Sequence, residues 1–151
     1  MLKYVDVKEV FAEIPDEITL AISISGCPVH CRGCHSQYLW ADVGEALTTD
    51  ALSTMVEGHF GITCLCFMGG DQAPAEVNQL AHWVKEHTDV RTAWYSGCTD
   101  IAPEIELANF DYIKTGPYLE ERGPLNQRTT NQRLYRINDG SLVDITNRFW
   151  K

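Results

Sequence analysis

At 151 residues, with 44% hydrophobic and 22% charged side chains, the chain has the make-up of one ordinary soluble globular domain, residues 1–151. A net charge of −9 opposes a general nucleic-acid or membrane-surface role. No run approaches the ~18 apolar residues needed to span a bilayer.

The first residues, MLKYVDVKEV, carry no basic-then-apolar secretory pattern. The six cysteines are therefore expected in a reducing cytoplasm, as metal ligands plus spares rather than a disulfide framework. Charge is uneven: residues 1–75 hold 3 basic and 10 acidic side chains, and residues 76–151 hold 9 and 11. An arginine-containing C-terminal segment in an acidic protein is either a docking surface or a solvated face, and the second is the default.

In chain order, YVDVKEVFAEI at residues 4–14 is rich in Val, Ile and Phe but mixed in period, and Pro15-Asp16 marks a turn. ITLAISIS at 18–25 alternates Ile18, Leu20, Ile22 and Ile24 with smaller or polar positions, which predicts a strand. It delivers the chain to Gly26 and to SGCPVHCRGCHSQYLW, where Cys27, Cys31 and Cys34 stand at the spacing C-x3-C-x2-C. Thiolate sulfur is the ligand that soft metals and iron–sulfur clusters select. Structural zinc sites and all-cysteine cubanes use four ligands, so three leave one coordination position for something else. Two other readings exist: packed apolar thiols, opposed by the polar neighbours Pro28, His30, Arg32 and His35, and a Cys3His zinc site completed by His30 or His35.

Thr48, Thr49 and Asp50 offer N-caps for a helix with Leu52, Met55, Val56 and His59 at helical spacing, ending near Gly58 or Gly61. ITCLCFMGGD at 62–71 predicts a short buried strand with Cys64 and Cys66 on one face, read as packed core thiols. Gly69-Gly70-Asp71 at its end permits close backbone approach and places a carboxylate there, although a plain turn explains the same residues. Pro74 opens a second helix with Val77, Leu80, Ala81 and Val84 on one face. VRTAWYSG at 90–97 predicts the next strand, 103–109 a short helix, and FDYIKTGPY at 110–118 a further strand. Repeating βα units with each candidate site at a strand end argue for a parallel α/β sheet. The segment from about 118 to 151 is polar, repeats NQR at 126–128 and 131–133, and sets Asn138-Asp139-Gly140 between LYRI and SLVDI as a hairpin signal.

These motifs carry a family resemblance. C-x3-C-x2-C resembles the cluster motif of radical S-adenosylmethionine enzymes, and CPVHCRGCHSQYLW is similar to the small activating proteins of anaerobic (class III) ribonucleotide reductase. Gly33 stands where many of the wider superfamily have an aromatic residue, as that subfamily often does. GGD resembles the GGE/GGD motif that holds the amino group of S-adenosylmethionine, while DYIKTGPYLEE and TTNQRLY resemble later stretches of the activating proteins. The likeness runs from about Val5 to Ile137 and departs at EIPDEI, where relatives have a Gly-Pro-Gly-like turn.

The resemblance implies a single radical S-adenosylmethionine domain: a partial (β/α) barrel, an open, mostly parallel sheet with the cluster loop at the carboxyl end of the first barrel strand. It implies a [4Fe–4S] cluster on Cys27, Cys31 and Cys34, with S-adenosylmethionine bound near Gly69, Gly70, Asp71, Ser96 and Gly97. It further implies weak partner or substrate contacts at His35, Lys114, Asn131, Gln132 and Arg133. Reductive cleavage of S-adenosylmethionine would give a 5′-deoxyadenosyl radical that removes hydrogen from a glycine of the large catalytic subunit of anaerobic ribonucleotide reductase. A one-electron donor such as flavodoxin would feed the cluster. The alternatives are an activase of another glycyl-radical enzyme, of formate-lyase type, and a zinc-binding interaction module. The roles of Cys64, Cys66, Cys98 and His35 stay open.

Overall fold

The computed structural model describes residues 2–26 and 44–150. The chain begins with β1 (Lys3–Val10) and β2 (Thr19–Ile24), then β3 (Glu45–Ala46), helix α1 (Thr49–Glu57) and β4 (Cys64–Met68). Helix α2 (Pro74–His87), β5 (Arg91–Tyr95), a 3-10 turn at Leu107–Asn109 and β6 (Tyr112–Thr115) follow. A final hairpin is built from β7 (Arg133–Asn138) and β8 (Ser141–Asp144), and a last 3-10 turn covers Thr146–Phe149.

All the described strands join one open sheet in the order β3-β1-β2-β4-β5-β6-β7-β8. The expectation of a mostly parallel sheet needs correction. Only the three central pairings, β2 with β4, β4 with β5 and β5 with β6, are parallel; the other four are antiparallel. A parallel neighbour needs a long crossover: α1 lies in the one from β2 to β4, α2 in the one from β4 to β5, and the 3-10 turn at Leu107–Asn109 in the one from β5 to β6, whereas the antiparallel β7 and β8 are joined by two residues.

Local chemistry accounts for the helices. Thr48 caps α1 by accepting the Ala51 amide at 3.1 Å, Asp50 sits in the first turn, and Gly58 closes the helix. Pro74 opens α2, whose missing first-turn donor it does not need. The helix expected at 103–109 shrinks to the Leu107–Asn109 turn, because the Asn78 side chain of α2 takes the Glu106 amide at 2.8 Å and the Asn109 amide group at 3.1 Å. At the last hairpin Asn138 pairs with Ser141, leaving Asp139 (φ 49°) and Gly140 (φ 78°) as a two-residue turn of the primed type that the sequence signals.

The sheet has two differently built faces. Leu20, Ile22, Ile24, Leu65, Phe67, Trp94 and Ile113 pack with Leu52, Val77, Ala81 and Val84 of the two helices. Period two sends Cys64, Cys66, Ala93, Tyr112 and Leu134 to the other face, where Ile14, Ile145 and Phe149 cover them. Cys64 and Cys66 are core thiols, as read from their alternation.

Burial pushes the Cys64 thiol up to about 12, aided by Glu17, and pushes Cys66 and Tyr95 up as well. Tyr112 is raised by burial and by the Glu17 carboxylate that its hydroxyl meets at 2.8 Å. Each prefers its neutral form more in the fold than in the unfolded chain. Their contribution is therefore intact below the unfolded thiol value of roughly 8.5 and is lost as pH climbs through the folded values.

Two expectations follow for stability. Phe67→Ala, at a fully buried position in the helix-side core, should cost about 3–5 kcal/mol in urea unfolding; a loss under about 1 kcal/mol would show that the core does not depend on it. The urea midpoint should hold steady below about pH 8 and fall toward about pH 11, with a shallower fall in Cys64→Ala. A midpoint flat across that range would contradict the buried-thiol account.

Candidate cofactor site at the carboxyl edge of the parallel strands

Parallel pairing of β2, β4, β5 and β6 brings Ile24, Met68, Tyr95 and Thr115 to one edge of the sheet. Loops at the carboxyl ends of such strands are where α/β folds place ligands. In sequence, Ser25-Gly26 leads from β2 to Cys27. Cys27, Cys31, Cys34 and His35 lie outside the described residues. Among the described residues no group of three His, Cys, Asp or Glu side chains is arranged to hold a metal.

The Gly69-Gly70-Asp71 turn is fitted tightly at this edge. Gly69 takes φ 112° and Gly70 φ 91°, conformations that other residues avoid. A Cβ on Gly69 would stand 3.0 Å from the Ile24 carbonyl oxygen, and one on Gly70 would stand 2.6 Å from Cγ2 of Val77. The Gly69 amide donates to the Tyr95 carbonyl at 3.1 Å, and the Trp94 indole donates to the Gly69 carbonyl at 2.7 Å. Gln72 then reaches back to the Ser25 carbonyl at 2.8 Å, tying this turn to the residue two before Cys27. In the sequence, only its position directly after the Gly-Gly-Asp motif marks Gln72.

Asp71 joins two loops. Its carboxylate accepts the Ser96 hydroxyl at 2.5 Å and the Gly97 amide at 2.9 Å. Ser96 Oγ in turn accepts the Cys98 amide at 3.1 Å. The residues assigned by resemblance to S-adenosylmethionine are thus brought together, with the hydroxyl proton of Ser96 directed at Asp71. Beside them a cleft of about 280 Å³ is walled by Asp71, Pro74, Trp94, Ser96, Cys98 and Ile101.

Lys114 extends the network. Its buried ammonium donates to the Ser96 carbonyl at 3.1 Å and the Gly116 carbonyl at 2.8 Å, and lies 5.7 Å from the Tyr95 ring centre. The Gly116 amide closes onto the Cys98 carbonyl at 2.7 Å. Gln132 is buried with its amide 3.4 Å from the Gly116 carbonyl, and the Asn131 amide group donates to the Pro117 carbonyl at 3.1 Å. Lys114, Asn131 and Gln132 therefore converge on the turn after β6. Arg133 is set apart from them, 3.8 Å from Asp144 and over the Trp150 ring.

The model of the 4Fe–4S single cluster domain matches residues 18–137, most of the chain and all four parallel strands. The chain belongs to this 4Fe–4S single cluster family. It is accordingly an iron–sulfur, metal-binding protein. No curated protein and no solved structure matches the chain significantly. No helix among the described residues is long and apolar enough to cross a membrane. Three closely spaced thiols in the matched region suit the cluster chemically, since thiolate is its usual protein ligand.

Removing the Asp71 clasp tests this edge. Asp71→Ala leaves the Ser96 hydroxyl and the Gly97 amide without their acceptor and should cost about 1–3 kcal/mol, while faster amide exchange is confined to residues near 69–73 and 96–98. Unchanged exchange there would mean that the clasp does not hold the two loops.

Proposed function

We propose that this iron–sulfur protein activates a glycyl-radical enzyme, the large catalytic subunit of anaerobic ribonucleotide reductase. The observation that carries the reading is the junction at one sheet edge of the β2 exit toward Cys27, the Gly69-Gly70-Asp71 turn and the Ser96-Gly97 loop, linked through Gln72 and Asp71. Cys27, Cys31 and Cys34 would hold the cluster, and three ligands would leave one iron position for S-adenosylmethionine. Together the two cofactors supply reductive cleavage of the sulfonium, yielding a 5′-deoxyadenosyl radical able to take hydrogen from glycine.

The chain's own residues bind and orient. The Gly69-Gly70 backbone offers a close approach, and Asp71 sets the Ser96 hydroxyl and Gly97 amide in one arrangement. The buried Lys114 ammonium holds the Ser96 and Gly116 loops together and adds a fixed positive charge at this edge. An open sheet, whose strand order does not close on itself, would leave the carboxyl edge of β2, β4, β5 and β6 within reach of a protein substrate. A one-electron donor such as flavodoxin, in the cytoplasm, would complete the system. Membership of the iron–sulfur family favours this reading over a zinc module; activation of a formate-lyase-type enzyme would use the same edge and differ in the partner surface.

The test is anaerobic reconstitution with iron and sulfide, followed by dithionite and S-adenosylmethionine, with 5′-deoxyadenosine as the readout. Wild-type protein should form it and Cys31→Ala should not. A fully loaded brown protein that forms no 5′-deoxyadenosine would overturn the proposal.

A further inference from the structure

We infer that the guanidinium-lined surface around Trp150 is the docking face for a carboxylate-rich patch on the protein that carries the target glycine; the inference rests on the activase reading. Five of the seven arginines follow residue 121, in a chain whose net charge is −9. The fold collects three of them. The Arg128 and Arg133 guanidinium carbons lie 5.7 and 5.9 Å from the centre of the Trp150 ring. That ring is held by its indole donating to the Leu125 carbonyl at 3.1 Å. Arg122 donates to the Thr129 carbonyl at 2.8 Å, and the Thr129 hydroxyl returns a bond to the Arg122 carbonyl at 2.6 Å, so the third guanidinium is kept beside residue 128.

The place of this cluster is informative. Arg133 pairs with Thr115, the last residue of β6, so β7 starts at the same edge as the candidate cofactor site. A macromolecular substrate must reach that edge. Asp144 stands 3.8 Å from Arg133 with both side chains substantially exposed, and Glu120 and Glu121 belong to the same segment. An exposed pair at that distance neutralises little.

Two like charges gathered on one aromatic ring repel each other, and a merely solvated face has no need to gather them. Arg and Trp are the residues on which interface energy concentrates, and the guanidinium fork matches a carboxylate in two bonds. An acidic partner would be repelled by most of this chain and steered to this basic surface. A second copy, seating its acidic face on this patch head to tail, would make an open-ended array rather than a closed complex. A nucleic acid would offer phosphates that the same fork fits; the activase reading, which requires a protein substrate, selects the protein, and an oligonucleotide serves as the control.

The experiment uses the reconstituted full chain and the catalytic subunit of an anaerobic ribonucleotide reductase, with affinity measured by anaerobic calorimetry at low and high salt. Uncoupled 5′-deoxyadenosine formation is followed alongside. Arg122→Glu/Arg128→Glu should weaken binding at least about tenfold and flatten its salt dependence, with uncoupled 5′-deoxyadenosine formation unchanged. Arg122→Lys/Arg128→Lys should recover part of the affinity, because charge is kept and the fork is lost. Unchanged affinity in the Glu variant, or a dT20 oligonucleotide bound as tightly as the subunit, would overturn the docking inference. A wild-type protein that binds the subunit through these arginines yet forms no 5′-deoxyadenosine would sink the activase reading and leave the surface standing.

Discussion

The parallel register of β2, β4, β5 and β6 is the constraint on which the rest of the molecule depends, because it alone makes four chain segments end together. Ile22 lies beside Phe67, and Phe67 beside Trp94, so successive strands exit level with one another. Each exit is then tied to the next by groups that the sheet ladder leaves over. Gln72 holds the β2 exit, Asp71 the β5 exit, and Lys114 connects the β5 and β6 exits. A buried ammonium is tolerable only when hydrogen-bonded, and the carbonyls that satisfy Lys114 belong to the loops after β5 and β6. Burial of that ammonium and order in those two loops are thus one requirement.

The two sheet faces bear this edge unequally. Helices α1 and α2 pack a continuous aliphatic and aromatic layer against one face, the arrangement expected of crossover connections. On the other, small thiols and Ala93 under Ile145 and Phe149 make a thinner cover drawn from the segment after β7. Tyr95 and Lys114 rise from that second face to the functional edge, where the tyrosine hydroxyl reaches the Glu13 carbonyl and the ammonium lies over the ring. The chain end therefore contributes both to the core and, through Trp150, to the surface near the site.

Charge follows the same division. A strongly acidic chain keeps long-range attraction weak for most anions, yet Arg133 stands at the carboxyl edge beside Thr115, and Arg128 shares the Trp150 ring with it. The buried Lys114 ammonium is held by the loops after β5 and β6, whereas the Arg128 and Arg133 guanidiniums lie over Trp150.

The sequence by itself determined the pieces whose signals are local. Alternation in 18–25, the short buried strand within 62–71, a helix start among Thr48, Thr49 and Asp50, Pro74 at the start of α2 and Asp139-Gly140 in the last hairpin all read correctly, because propensity, capping and turn chemistry act within a few residues. The same holds for the position of Gly69-Gly70-Asp71 and Ser96-Gly97 in loops at strand ends. Tertiary structure alone decided the antiparallel flanks, the two-residue β3, the reduction of 103–109 to a 3-10 turn through Asn78, and the joining of Asp71 to Ser96. It also decided that Arg128 and Arg133 share Trp150, residues separated in sequence. Strand direction, competition for backbone donors and distant side-chain pairing are set by which surfaces meet after collapse, and no window of sequence contains that information.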